Sequence, residues 1–193
     1  MEINIINQNE ILSELQKGFE KAPRLAIVLY DDNQVNYGFD EKPNFEYCEA
    51  NNIECVDIGR RGGAFVVNKG DIGVGFVDVG LNNSFGLFLY REFEKYLQNK
   101  GFNAKAVDND ILINDYKVFG WASHFYKEHN AIFISCHFTM SVDIELIKKV
   151  CTKPMNKVPR GLSEFCITKD EIMEFILNSI QSYSNLENKW LPG

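Results

Sequence analysis

The sequence is short of the residues that build most metal and disulfide sites. It has three histidines, His124, His129 and His137, too few for a histidine-rich metal centre. Its five cysteines, Cys48, Cys55, Cys136, Cys151 and Cys166, are odd in number and form no CxxC pair. That argues against structural zinc and against a disulfide framework, and for reduced thiols in a cytoplasmic protein. No apolar run reaches the length of a membrane span. The amino terminus, MEINIINQNEILSELQK, lacks the basic-then-apolar order of a signal peptide. Basic residues are the minority, 20 against 27 acidic, for a net charge of -7, which disfavours a broad nucleic-acid-binding face. Internal repeats and low-complexity tracts are absent, as are the P-loop and GxGxxG patterns.

What remains is an ordinary globular composition, 45% hydrophobic and 24% charged over 193 residues, enough for one domain with a real core. Ile11, Leu12, Leu15 and Phe19 recur at helical spacing, predicting a first helix over residues 9–20, ended by Pro23. Residues 25–30 read as a buried strand, with a turn at Asp31-Asp32-Asn33. Pro43 opens a short helix over 44–51, and residues 53–58 and 64–67 read as extended. Residues 72–79 alternate: Ile72, Val74 and Phe76 share one face, and Gly73 and Gly75 leave the other bare for a close backbone or a ligand. A helix over 83–100 carries Phe85, Phe88, Leu89, Phe93, Tyr96 and Leu97 as its buried stripe, with Gly101 at its end. Short strands follow at 102–107, 111–113 and 116–121, with another within 131–140. Asp143 is placed to cap a helix to Val150, and Thr168 with Glu171 has capping-box spacing for a last helix to about Ser182. Residues 183–193 read as a frayed polar tail. The expected architecture is α+β, one domain over 1–193 with a mixed or antiparallel sheet flanked by helices.

Two segments carry chemistry. In Gly59-Arg60-Arg61-Gly62-Gly63-Ala64, paired glycines let backbone amides approach an anion, and the arginines add charge suited to phosphate or carboxylate. A plain solvent-facing turn accounts for the same residues about as well. In Asn109-Asp110-Ile111-Leu112-Ile113-Asn114-Asp115-Tyr116-Lys117-Val118-Phe119-Gly120, a tight hairpin puts Lys117 early on the returning strand. Lys117 and Phe119 are expected on one face, Val118 and Gly120 on the other. A solvated strand lysine is the commoner reading of Lys117. His137, Cys136 and Cys151 read by themselves as packed residues, since nothing local lowers a thiol pKa.

Taken together, these segments resemble the lipoate-protein ligase family, whose catalytic domain is shared with biotin ligases and octanoyltransferases. NFEYCEANNIECVDIGRRGGAFVVNKGD is similar to that family's helix and arginine-glycine ligand loop. VDNDILINDYKVFGWAS is similar to its Asn-Asp element and lysine signature. SCHFTMSVDIELI is similar to its histidine strand and following helix, and VPRGLSEF to its closing segment. The resemblance implies a class II aminoacyl-tRNA synthetase-like catalytic fold. It implies that ATP and Mg2+ activate lipoate or octanoate to acyl-AMP, and that the acyl group passes to a lysine of a lipoyl or biotinyl carrier domain. Lys117 would hold the acyl carboxylate and adenylate phosphate. Arg60, Arg61, Gly62, Gly63 and Ala64 would line the acyl and phosphate pocket, with Asn109 and Asp110 near the nucleotide and Asp110 on the metal. Gly120, Ala122 and His137 would complete the ligand site. No carboxy-terminal accessory domain is expected, so a separate accessory subunit is an implied partner.

The departures from the family pattern are specific. The loop lacks the family's serine, Val66-Val67-Asn68 replaces its aromatic-histidine-aspartate, and Phe119, Trp121 and Phe138 replace small residues and are expected to narrow the pocket. Three alternatives accompany the ligase reading: an acyltransferase with Cys136 or Cys151 as nucleophile, a biotin ligase, and a catalytically degenerate cofactor-binding or partner subunit.

Overall fold

Period-two alternation of apolar side chains builds the centre of the molecule. In the computed structural model, residues 2–20, 23–59, 61–79 and 84–187 are described. Strands β1 (Glu2–Asn7), β2 (Arg24–Leu29), β6 (Ile72–Val79), β7 (Ala104–Val107), β8 (Asp110–Ile113), β9 (Tyr116–Tyr126) and β10 (Ala131–Phe138) form one sheet. Their order is β1-β2-β6-β10-β9-β8-β7. Only β1–β2 is parallel within it; the other neighbours are antiparallel. Strands β3 (Gln34–Tyr37), β4 (Glu54–Asp57) and β5 (Phe65–Val67) form a second sheet in the order β4-β3-β5. The protein is thus a mixed α+β fold, as the pattern of elements predicts.

One face of the large sheet packs on α3 (Ser84–Asn99) and α5 (Lys169–Glu187). Leu25, Ile27, Ile72, Val74, Phe76, Ile134 and Phe138 point into that core and are buried. Phe93 of α3 is fully buried against the rings of Phe119, Phe138 and Phe175. Its truncation to alanine would cost about 3–5 kcal/mol. Across β1, β2 and β6, the opposite face meets α1 (Ile11–Glu20), whose Gly18 lies so close to Val77 that an added Cβ would stand 2.8 Å from it. The helices α2 (Phe45–Ala50) and α4 (Ile144–Val150) pack with Val35 and Val66 in a separate small core. Asn44 and Asp143 cap these two helices by accepting the Tyr47 and Leu146 amides.

Several boundaries differ from the sequence reading. β1 and β3 were not expected, and β9 continues to Tyr126, five residues past Trp121, because each of those residues pairs with β10. The last helix continues through residues 183–187 where a frayed tail was expected: Tyr183 is buried against the rings of Phe85 and Phe88. Residues 188–193 of that expected tail lie outside the described residues. Among the described residues, no helix is long and apolar enough to cross a membrane.

Candidate functional site

The site begins with an irregularity in a hairpin. Asn114 and Asp115 both have positive φ, the geometry of a tight two-residue turn, and return the chain from β8 into β9. A bulge then shifts the register, so that Leu112 pairs with Lys117 and Ile111 with Phe119. The expected alternation is broken there. Val118 and Phe119 are both fully buried in the core, whereas Lys117 and Gly120 face the same side. A Cβ on Gly120 would lie 3.3 Å from Lys117 Nζ and 3.0 Å from Asp110 Oδ1, so the bare glycine makes the room in which this ion pair sits.

Lys117 is also fixed from outside the sheet. Its amide donates to the Val158 carbonyl at 2.9 Å, and its own carbonyl accepts from the Arg160 amide at 2.9 Å. The segment 153–160 is therefore strapped along the start of β9. That strap brings in Lys157, which sequence reasoning did not single out. Asp110 lies between two ammonium groups, with Lys117 Nζ 2.8 Å from Oδ1 and Lys157 Nζ 2.8 Å from Oδ2. Lys157 also reaches Asp108 at 3.1 Å. Partial burial opposes its charge, but its hydrogen bonds to Asp110 and Asp108 prevail and raise its pKa. The Tyr90 hydroxyl donates to the Asp108 carbonyl and steadies the preceding turn.

These residues edge a cavity of about 470 Å³, a size suited to a small organic ligand. Gly120, Ala122, Ser135 and His137 floor it; Gly63 to Val66, Val142 and Ile147 stand opposite, with the 153–157 loop over one end. His137 is held through Nε2 at 3.0 Å from Asp71 Oδ2. Asp71 is completely buried and also accepts the amides of Asn68 at 2.8 Å and Met140 at 2.7 Å. It is a second residue that sequence reasoning missed, because nothing in Lys69-Gly70-Asp71 marks its carboxylate as inward-facing.

The glycine loop is organised by the chain's own carboxylates. Asp40 accepts the Gly62 amide at 2.9 Å and Glu41 the Ala64 amide at 3.0 Å. Glu41 also accepts the Thr152 and Lys153 amides, each at 2.8 Å. Burial works against its ionised form, but these amides outweigh it and lower its pKa. A Cβ on Gly63 would stand 2.9 Å from Glu41 Oε2, which explains that glycine. Gly63 and Ala64 line the cavity; Gly62 is not among its lining residues. Arg61 turns outward, its side chain 89% exposed beside Asp40. Arg60 lies outside the described residues. Asn109 is exposed in the turn before β8 and does not reach the cavity, although its carbonyl accepts the Trp121 amide.

No protein-family model matches the sequence, and no curated protein matches it. Solved structures do match. P. falciparum LipL1 in complex with lipoate superposes with a TM-score of 0.73 at 15% identity, over 96% of this chain and 62% of that one. Ta0514 of T. acidophilum with bound lipoic acid, described as a putative lipoate protein ligase, gives 0.72 at 17%, over 94% and 86%. A lipoate-protein ligase A bound with ATP gives 0.72 at 18%, over 94% and 85%. The chain has the lipoate-ligase catalytic fold. Biotin protein ligases share that fold at lower scores. The chain spans less than two thirds of the length of the P. falciparum protein.

Within the ligase fold, the bulky replacements sit differently from expectation. Phe119 and Phe138 are fully buried on the helix side of the sheet and leave the cavity untouched. Trp121 borders the cavity, yet its indole packs against Gly86 of α3. Of the two cysteines weighed as nucleophiles, Cys136 is buried in the main core, and burial pushes its thiol far up. Cys151 does line the cavity, but its thiol donates to the Ala64 carbonyl, and burial with the nearby Glu41 charge pushes it up to about 11. Nothing around either thiol lowers its pKa.

Proposed function

We propose that the protein activates a medium-chain acyl carboxylate, lipoate or octanoate, with ATP and transfers it to a lysine of a carrier domain. The observation that carries this reading is the pair of ammonium groups on Asp110 at one end of a cavity of ligand size, in a fold whose relatives are described with lipoate or ATP bound. In the first step the acyl carboxylate attacks the α-phosphorus of ATP and pyrophosphate leaves. In the second the carrier amine attacks the acyl carbon, loses its proton, and AMP departs. Both steps place negative charge on oxygens, which Lys117 and Lys157 would offset. His137, fixed by Asp71, would contact the ligand from the floor, and Gly63 and Ala64 from the facing wall. Mg2+ commonly binds through one carboxylate and the nucleotide's own phosphates. Asp110 fits that role only if a ligand draws a lysine away from it.

A T. acidophilum ligase of this fold is described as bi-partite and was studied with its E2 lipoyl domain. By analogy, the partners proposed here are a carrier domain and a separate accessory subunit. The test is mass spectrometry after incubation with ATP, magnesium and a mixture of lipoate, octanoate and biotin, with and without an accessory subunit. Bound lipoyl- or octanoyl-AMP is expected; biotinyl-AMP would transfer the assignment to biotin ligation.

One observation favours a second reading. The Ala64 amide, which lines the cavity and would otherwise be open to a ligand anion, is taken by Glu41, and the neighbouring Gly62 amide by Asp40. A subunit that binds an acyl ligand without turnover would keep such a loop. Saturable ligand binding with no adenylate under any of these conditions would select it.

A further inference from the structure

The bare face of β6 separates two cavities. On one side, over β9 and β10, lies the candidate site, floored by Gly120, Ala122, Ser135 and His137. On the other, over β1 and β2, lies a smaller cavity of about 80 Å³, lined by the apolar Ile6, Ile11, Ala26 and Val28 and, at its edge, by the paired Glu14 and Arg24. Ser135 borders both. Between them Gly73 and Gly75 of β6 carry no side chain, and two rings from elsewhere fill the space. Tyr30 lies over Gly73, where a Cβ would meet its ring at 3.2 Å; Phe133 lies over Gly75, where a Cβ would meet its ring at 3.1 Å. Phe133 projects from β10, one residue pair along from Ser135 on the same face, and leans across to β6. The glycines therefore leave room for the two rings, which line the smaller cavity, and Ser135 beside them borders both cavities.

Resting on the acyl reading of the site, we propose that Phe133 sets the length of the acyl chain. The chain would run from Lys117 over Ser135 and stop at the Phe133 ring, with the cavity over β1 and β2 held in reserve behind it. That cavity corresponds to about three methylene groups at ~30 Å³ each, a water's share of volume. One further strand spacing, ~4.8 Å, gives a similar length.

The test measures adenylate formation by mass spectrometry across straight-chain saturated acids from hexanoate to tetradecanoate. The wild-type protein is compared with Phe133→Ala, with Phe133→Leu as a milder variant that keeps apolar bulk, and with Phe133→Ala combined with Ala26→Leu, which refills the reserve. The optimum should move about three carbons longer in Phe133→Ala, less far in Phe133→Leu, and back in the double variant. An active wild type whose optimum is unchanged in both single variants overturns the proposal, as does a double variant that keeps the long optimum. A wild type that, with any accessory subunit supplied, forms no adenylate from any of the acids would instead overturn the adenylate-forming reading of the site.

Discussion

Replacing Asp71 by Asn changes one oxygen to an amide nitrogen and leaves the side-chain volume almost unchanged. The native carboxylate is fully buried. Oδ1 accepts from the Met140 amide at 2.7 Å, and Oδ2 accepts from the Asn68 amide at 2.8 Å and contacts His137 Nε2 at 3.0 Å. An asparagine oxygen can serve only one of these sides. Its amino group would then face another donor, and the displaced donor would stay buried without a partner. Hydrogen bonds to a charged group contribute about 1.5–3 kcal/mol each, so losing two costs roughly 3–6 kcal/mol. A domain of this kind has only about 5–15 kcal/mol in total. With a urea m-value near ~2 kcal/mol/M, the unfolding midpoint should fall by roughly 1.5–3 M. A fall of less than ~0.5 M would refute the view that Asp71 anchors the His137 strand to the β5–β6 turn.

Gly161→Ala places a Cβ 2.6 Å from the Met140 carbonyl oxygen and 2.8 Å from Ser141 Cα, both backbone, so it should destabilise by about 1–3 kcal/mol, read as a lower melting temperature. Lys117→Ala should reduce adenylate formation at least ~100-fold while thermal unfolding stays within a few degrees of wild type. Gly120→Ala, crowding the Lys117–Asp110 pair, should weaken ligand affinity in a calorimetric titration with little change in stability. Glu171 is lowered to about 2, first by its hydrogen bond from Lys100 and then by the Thr168 amide. A folded-state pKa below the unfolded value gives stability that is present above about pH 4.5 and is lost as pH falls toward 2. Glu171→Gln should therefore flatten the acid limb of the stability curve in that window and leave its slope at neutral pH unchanged.

The sheet and its helices were legible because their apolar periodicities are local. Ile72, Val74 and Phe76 announce a strand with one core face, and the stripe from Phe85 to Leu97 announces α3. The missed strands depend on partners. Ile3 and Ile5 of β1 remain exposed and its other face offers Asn4 and the buried Ile6, so no apolar alternation announces it, and its strand form follows from pairing with β2. β3 reads QVNY, too short and polar to stand out, yet Gln34 and Val35 are buried between β4 and β5. For the site, motif order brought Lys117, Asp110, Gly63, Ala64, Gly120, Ala122 and His137 to attention, and the fold gathers all seven around one cavity. Asp71, Lys157 and Glu41 escaped because their roles arise from contacts 66, 47 and 111 residues away in the chain. The alternation that put Phe119 beside Lys117 failed at a bulge that no residue type in that stretch marks.

The reaction proposed for this cavity is activation of an acyl carboxylate as its adenylate. The most direct measurement is exchange of labelled pyrophosphate into ATP by the purified protein, with lipoate or octanoate present or omitted and any accessory subunit supplied. Exchange should require the acid and disappear in Lys117→Ala. Exchange that ignores the acid, or that survives loss of Lys117, would contradict it.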